Sequence, residues 1–254
     1  MEFYARENLF FSNISKFEYN FGIALVQSPK TPFSPEVISA INIALFTIQS
    51  QITIYKQNEN LIFLSSTDQL SLLKNKHSLT EFLSIESEKL RRANKKNIEM
   101  PQISIAFIDL DNFKYYNDHF GHPVGDLVIK LFAKLLKNTY RSVDFVSRYG
   151  GDEFVIVMND SNVMDGARVY QRLLDNLKAE EYFLPEIRKF LKKPDLEVED
   201  NLKIGFSMGI SSNIDNRDSS DLNLTLANAD KALYHSKENK KGCCTVWSSI
   251  RNHP

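Results

Sequence analysis

Two acidic pairs carry the most distinctive chemistry in this chain. Asp109 and Asp111 close the run ISIAFIDLD (103–111), and Asp152 and Glu153 follow a glycine pair in RYGGDEFVIV (148–157). Carboxylates gathered in one place repel one another and stay ionised together only around a cation. Oxygen-only ligation at a strand end suits Mg²⁺ (or Mn²⁺), which keeps phosphate oxygens among its ligands. If the two strands are neighbours, four acids converge, and metal-assisted transfer at a phosphate is the chemistry they serve. Taken alone, such a turn is more often an ordinary Gly-Gly hairpin with solvated acids.

The elements that must position these acids alternate. The run 103–111 reads as a buried strand, and Leu127, Val128, Leu131, Phe132, Leu135 and Leu136 form one helical face. Residues 144–149 and 153–158 are two β-runs joined through Gly150 and Gly151, a hairpin signature. A helix over 163–178, a strand over 203–211, a helix over about 222–237 and a strand over 243–247 follow. The order βαββαβ implies an α/β (α+β) fold, a mainly antiparallel sheet flanked by helices. Residues 179–201 read as an extra helical excursion with a solvated, mixed-charge surface.

Upstream, Ser34-Pro35-Glu36 starts an amphipathic helix over 33–64 with Val37, Ile41, Ala44, Leu45, Ile48, Ile52 and Tyr55 on its stripe. Packing on its own core ranks ahead of pairing with a partner helix. Residues 21–29 read as a strand and turn, too little for an independent core. The division is therefore 1–66, an accessory segment with a helical extension, and 67–254, the main domain.

Composition limits the function classes. With 254 residues, 43% hydrophobic and 25% charged, the chain can bury a full core. A formal net charge of −1 offers no global attraction for a nucleic-acid polymer or an anionic membrane, so phosphate chemistry must rest on local arrangement. Cys243 and Cys244 are adjacent in an apolar run and read as core residues in a reducing compartment. No targeting segment is evident and no apolar run reaches membrane-spanning length, so a cytoplasmic protein without direct membrane insertion is expected. His119 and His122 are too unspecific a pair to indicate zinc.

The segment FIDLDNFKYYNDHFGHPVGD (107–126) followed by RYGGDEF resembles the GGDEF domain family, the diguanylate cyclases. The matching positions are Asp109, Asp111, Phe113, Lys114, Asn117, Asp118, Gly121, His122, Gly125 and Asp126. DQLSLLKNK (68–76), FSMGIS (206–211) and ADKALYHSK (229–237) resemble further blocks of the family, so the likeness covers about 68–248. It implies the GGDEF fold and the condensation of two GTP into cyclic di-GMP with release of two pyrophosphates, across two half-sites of a homodimer.

By this resemblance Asp109 and Asp152 would hold Mg²⁺ with the Leu110 carbonyl. Glu153 would assist metal binding or remove a proton from the attacking hydroxyl. Gly150 and Gly151 would let the backbone approach the nucleotide. Asn117 and Asp126 would read guanine, whose N1–H and exocyclic amine suit a carboxylate; in isolation a helix N-cap before Leu127 is the favoured role for Asp126, and the two roles are compatible. Phe113 belongs to the same substrate-binding motif, and Lys114, Lys237 and Lys241 would neutralise phosphates. After Lys237 the chain reads Glu-Asn-Lys-Lys-Gly where the family usually has an arginine, and a lysine there cannot form a planar fork to phosphate.

Arg141-Ser-Val-Asp144 matches the placement of the family's inhibitory site for cyclic di-GMP, with Arg172 as a further guanidinium. The N-terminal segment resembles the end of a GAF sensory domain running into a connecting helix, which would pair two chains. A catalytically inactive receptor for cyclic di-GMP or GTP is the alternative; such a protein is expected to have lost Asp152 or Glu153, and both are present.

Overall fold

In this computed structural model the chain forms two units, residues 1–63 and 64–254. Residues 34–178, 182–216 and 218–251 are described, together with the backbone of three earlier strands. Those strands, β1 (Glu2–Arg6), β2 (Leu9–Ser15) and β3 (Asn20–Val26), form an antiparallel meander. The sequence reading anticipates β3 alone; β1 and β2 are short runs whose aromatic content suits a pleated surface. The turn expected over 27–29 and residues 179–181 of the excursion lie outside the described residues.

Helix α1 (Pro35–Ser66) begins where the proline predicts, with Ser34 Oγ accepting the Val37 amide at 3.4 Å. Two expectations for it are corrected. Its stripe is not packed into a core: Leu45 is the helix's one buried side chain, while Ile48 is 45% and Tyr55 64% exposed. And α1 is long and apolar enough, by length and composition alone, to cross a membrane. Asn42, Thr47, Gln49 and Thr53 interrupt every apolar run, yet all are uncharged, so the average stays apolar where no unbroken stretch is long.

The second unit contains α2 (Lys76–Lys95), β4 (Ile103–Asp111), α3 (Phe113–Phe120), α4 (His122–Thr139), β5 (Phe145–Gly150) and β6 (Glu153–Asn159). There follow α5 (Val163–Lys178), α6 (Leu184–Leu191), β7 (Gly205–Ser212), α7 (Leu222–Asn239) and β8 (Cys244–Val246). The sheet order is β5-β6-β4-β7-β8, antiparallel throughout except that β8 runs parallel to β7. This is a mixed α/β fold, a five-stranded sheet flanked by helices. Cys243 and Cys244, expected in the core, are only half-buried, because β8 lies at the sheet's edge.

Central position explains the composition of β4. Every residue of ISIAFIDLD is buried, so the strand reads as a continuous apolar run until its acids. Ala106, Ile108 and Leu110 join Val128, Phe132 and Leu136 of α4 and Leu173 of α5 in one cluster. Ile103, Ile105 and Phe107 join Leu79 and Leu83 of α2 and Ala229 and Leu233 of α7 in the other. The two-residue period of a strand then sets Asp109 on the α2/α7 side. The packing that holds β4 thus also aims its acids.

Gly209 of β7 lets α7 approach the sheet. A Cβ there would lie 2.1 Å from the Ala229 carbonyl oxygen and the Leu233 amide, both helix backbone that cannot swing aside. Gly209→Ala is expected to cost about 3 kcal/mol of stability, read from the midpoint of urea unfolding. An unchanged midpoint would contradict so close an approach.

Candidate functional site

The acids meet through strand register. Asp109 lies directly opposite Glu153 of β6 and opposite Ser207 of β7. Beyond it, the Leu110 amide donates to the Asp152 carbonyl at 3.2 Å, folding the glycine turn over the end of β4. Lys237, on the last turn of α7, places Nζ 2.5 Å from Asp109 Oδ2. Among the described residues no three His, Cys, Asp or Glu side chains are gathered tightly enough to hold a metal ion by themselves.

Charge balance at this corner is unfavourable despite that ammonium. Burial pushes the Asp109 carboxyl up from 3.8 to about 6; Lys237 opposes the rise, while Asp152 and Glu153 add to it. An ion pair this short ordinarily depresses a carboxyl, so desolvation and like charge outweigh it here. Glu153 is raised too, first by burial and then by Asp152 and Asp230. Asp111 is raised by burial, opposed by hydrogen bonds from the Ser207 hydroxyl (2.9 Å) and the Gly242 amide (2.9 Å).

The turn is held from behind by residues that sequence reasoning missed. Arg148 donates from Nε and Nη2 to the Gly151 carbonyl at 3.0 and 2.7 Å. Its Nη1 reaches both carboxyl oxygens of Asp68 at 3.0 and 3.2 Å. Asp68 in turn accepts from the Ser71 amide and hydroxyl. Burial pushes Asp68 up, but Ser71 and Arg148 together hold it below the ordinary range. Lys76 Nζ sits 3.9 Å over the ring of Tyr149. Gly151 has φ +48, which favours glycine, whereas a Cβ on Gly150 would meet nothing within 4 Å. The sequence signals for the clasp are an arginine two residues before the first glycine of the turn and the aspartate that opens DQLSLLKNK (68–76).

The residues expected to read the base lie where α3 meets α4. A Cβ on Gly125 would lie 1.9 Å from Asn117 Oδ1 and 3.3 Å from the Phe113 ring, so Asn117 and Phe113 are both brought against the start of α4. Asp126 is exposed one residue on. The reading of Asp126 as an N-cap is corrected: α4 starts at His122, after Gly121 with φ +88, which places Asp126 inside the helix. Lys114 and Lys241 are exposed, and the latter directly precedes Gly242, whose amide binds Asp111. Asn112, with φ 62, anchors the bend between β4 and α3 by donating to the Asn201 and Lys203 carbonyls at 3.0 and 2.9 Å.

Arg141 and Asp144 form a tight turn before β5. The Arg141 amide donates to Asp144 Oδ2 and the Asp144 amide to the Arg141 carbonyl, each at 3.0 Å. Asp144 Oδ1 is buried without a protein partner. Arg172 of α5 donates to the Thr139 carbonyl, which brings it to the segment just before Arg141. The three residues expected at an inhibitory site therefore share one neighbourhood.

A family profile described as "Diguanylate cyclase, GGDEF domain" matches residues 65–243. "Diguanylate cyclase A" of Treponema denticola is 31% identical over 199 residues, covering 78% of this chain and 49% of its own length. "Response regulator PleD" of Caulobacter vibrioides is 29% identical over 208 residues, 81% of this chain and 41% of its own. The chain spans about half or less of these relatives. The coiled coil and GGDEF domain of DgcB from Caulobacter crescentus, in complex with c-di-GMP, matches with a TM-score of 0.65 at 21% identity. That match covers 82% of this chain and 99% of the other, and at such identity it is a likeness of fold. The family match begins at residue 65, so the GAF-like reading of the N-terminal segment gains no support from it.

Two predictions follow from the electrostatics. Between pH 3.8 and about 6 the folded protein binds more protons at Asp109 than the unfolded chain, so metal-free protein loses stability as pH rises through that window. Asp109→Asn removes that loss and is expected to raise metal-free stability at pH 7 by roughly 1–3 kcal/mol, measured by denaturant unfolding; equal or lower stability would oppose it. Asp68 behaves in reverse, since its depressed carboxyl stabilises above the ordinary 3.8 and loses that contribution as pH falls through the folded value. Arg148→Met should cost about 2 kcal/mol at pH 7 and make thermal unfolding less sensitive to acid. A wild-type acid dependence in the variant would rule the clasp out as its source.

Proposed function

The chain belongs to the GGDEF domain family, and we propose that it is a diguanylate cyclase that condenses two GTP into cyclic di-GMP and two pyrophosphates. The observation that carries the reading is the register of Asp109 opposite Glu153, with the Leu110 amide on the Asp152 carbonyl. These are hard oxygen donors, with Asp109 raised by burial and further by its acidic neighbours, and they fit a hard divalent cation. Asp109, Asp152 and the Leu110 carbonyl would hold Mg²⁺ (or Mn²⁺), with nucleotide phosphate oxygens completing the set. When bound, such an ion offsets triphosphate charge and the charge that grows on the leaving pyrophosphate.

The protein's own groups do the rest. Asn117 and Asp126, at the α3/α4 junction, accept and donate along the guanine edge; adenine offers no donor pair for Asp126. Lys114 and Lys241 bring positive charge to the phosphates. Lys237, paired with Asp109, exchanges that partner for phosphate when nucleotide enters. Glu153, raised by burial and by its acidic neighbours, is suited to take the proton from the attacking 3′-hydroxyl. Each half-site supplies one GTP, so the reaction needs two chains face to face. The apolar residues that α1 leaves exposed support pairing of two copies through that helix. Arg141, Asp144 and Arg172 would bind product and restrain turnover.

The test is incubation of nucleotide-free protein with GTP and Mg²⁺, with chromatographic identification of product. Cyclic di-GMP is expected from the wild type, Asp152→Ala should lower the rate by about 10²-fold or more, and light scattering should give twice the 29.3 kDa chain mass. Absence of product from a dimeric, folded protein that still binds cyclic di-GMP would replace this reading with that of a receptor. Arg141→Ala is expected to weaken cyclic di-GMP binding by at least about tenfold, measured by calorimetry; unchanged affinity would remove Arg141 from the product site.

A further inference from the structure

The excursion between α5 and β7 builds a cavity of about 470 Å³. Its wall draws on separate parts of the second unit: Tyr116 of α3, Leu177 of α5, Phe183 and Leu184 at the start of α6, and the backbone at Gly205 and Gly242. The volume falls within the range of small-molecule sites, and aromatic and aliphatic side chains dominate the lining. We propose that this cavity is a ligand site for a small, uncharged aromatic molecule, and that filling it tunes the loop that follows β4.

The ligand's charge follows from how the polar groups of the wall are already engaged. Asp200 and Lys203, the two charged residues at the cavity, pair with each other at 2.8 Å with the Asp200 side chain turned to solvent, so the apolar interior offers an ionic guest no charged side chain of its own. The Gly242 amide donates to Asp111 and to Ser207, and its carbonyl accepts from the Tyr170 hydroxyl at 2.7 Å. An anion or cation entering would have to break one of these contacts, whereas a neutral ring displaces only water from apolar surface. Wall residues contributed by several elements on different sides favour a compact molecule over a helix or an extended peptide.

The same wall is the back of the candidate active site. Gly205 lines the cavity, and a Cβ there would lie 3.5 Å from Asp111 Oδ2, so the cavity wall adjoins the carboxylate at the end of β4. Asn112, the next residue, is tied to the carbonyls of Asn201 and Lys203, in the segment that carries the charged pair. Gly242 links the cavity to Lys241. A guest that holds these strands together fixes the bend from Asp111 to Phe113 and the position of Lys241. The ligand site stands on the geometry of the cavity; its effect on GTP turnover rests on the cyclase reading.

N-phenyl-1-naphthylamine, a neutral aromatic dye that fluoresces when buried, is the probe. Titration of the full chain should show saturable binding of one dye per chain, weakened by about tenfold or more in Leu177→Trp, which fills the cavity. Leu174→Phe, at another residue of α5 that lines the cavity, serves as a milder second filling variant, and circular dichroism reports whether each is folded. Hydrogen exchange on the dye complex should show slower exchange at Gly242 and around Asn112. No saturable binding, or equal binding by folded filling variants, overturns the site; the latter would place the dye elsewhere, as on the exposed side chains of α1. Binding without altered exchange at Gly242 overturns the coupling to the loop. None of these readouts uses GTP, so an inactive protein that binds the dye with the expected exchange pattern contradicts the cyclase reading alone.

Discussion

The end of β4 in this molecule is organised around an electrostatic conflict. Asp109, Asp152 and Glu153 are brought to one corner by a register that the hydrophobic faces of β4 enforce, and Asp109 is buried there. Burial first, and then the charges of Asp152 and Glu153, raise the Asp109 carboxyl to about 6, although the Lys237 ammonium beside it opposes the rise. A protein selected only for stability would replace one acid with an amide. Keeping the conflict makes sense where a multivalent cation and a phosphate arrive together to resolve it, and catalytic sites often hold destabilising groups for this reason.

The surrounding structure keeps that corner from relaxing. Gly209 lets α7 press onto the sheet, which places Lys237 beside Asp109. Arg148 ties the glycine turn to Asp68, at the start of the second unit, so the turn cannot swing away to relieve the repulsion. On the other side, Gly242 and Ser207 hold Asp111, and Asn112 fixes the bend into α3. Each contact is modest, but together they preorganise the donors, the arrangement that makes fixed charges effective in phosphoryl transfer.

Much of this was legible in the chain itself. The unbroken apolar run of β4, the glycine turn and the proline start of α1 are local signals, and the structure has all three elements. Helix α2 escaped notice because only Leu79, Leu83 and Leu90 among its apolar residues are fully buried, within a strongly polar stretch, although Asn75 caps it. Helix α3 was hidden by its brevity and by Gly121, which separates it from α4 by a single residue. Arg148 was missed because its partner Asp68 lies 80 residues away, and pairings at that separation leave no local pattern. The length of α1 is legible, but its membrane-compatible apolar average is masked by the uncharged polar residues that break up its apolar runs. Motif positions such as Asn117 and Asp126 came from family likeness, and what the fold adds is the α3/α4 junction where they lie.

The central claim is that Asp109 is buried beside other acids in a corner whose strain a divalent cation relieves. It is tested most directly by a carbon-13 NMR titration of the Asp109 carboxyl, without metal and then with saturating Mg²⁺ and a non-reactive GTP analogue. The account predicts a metal-free midpoint near 6 that falls below the ordinary 3.8 when both are bound. A metal-free midpoint already at 3.8, or one that Mg²⁺ and nucleotide do not move, would contradict it.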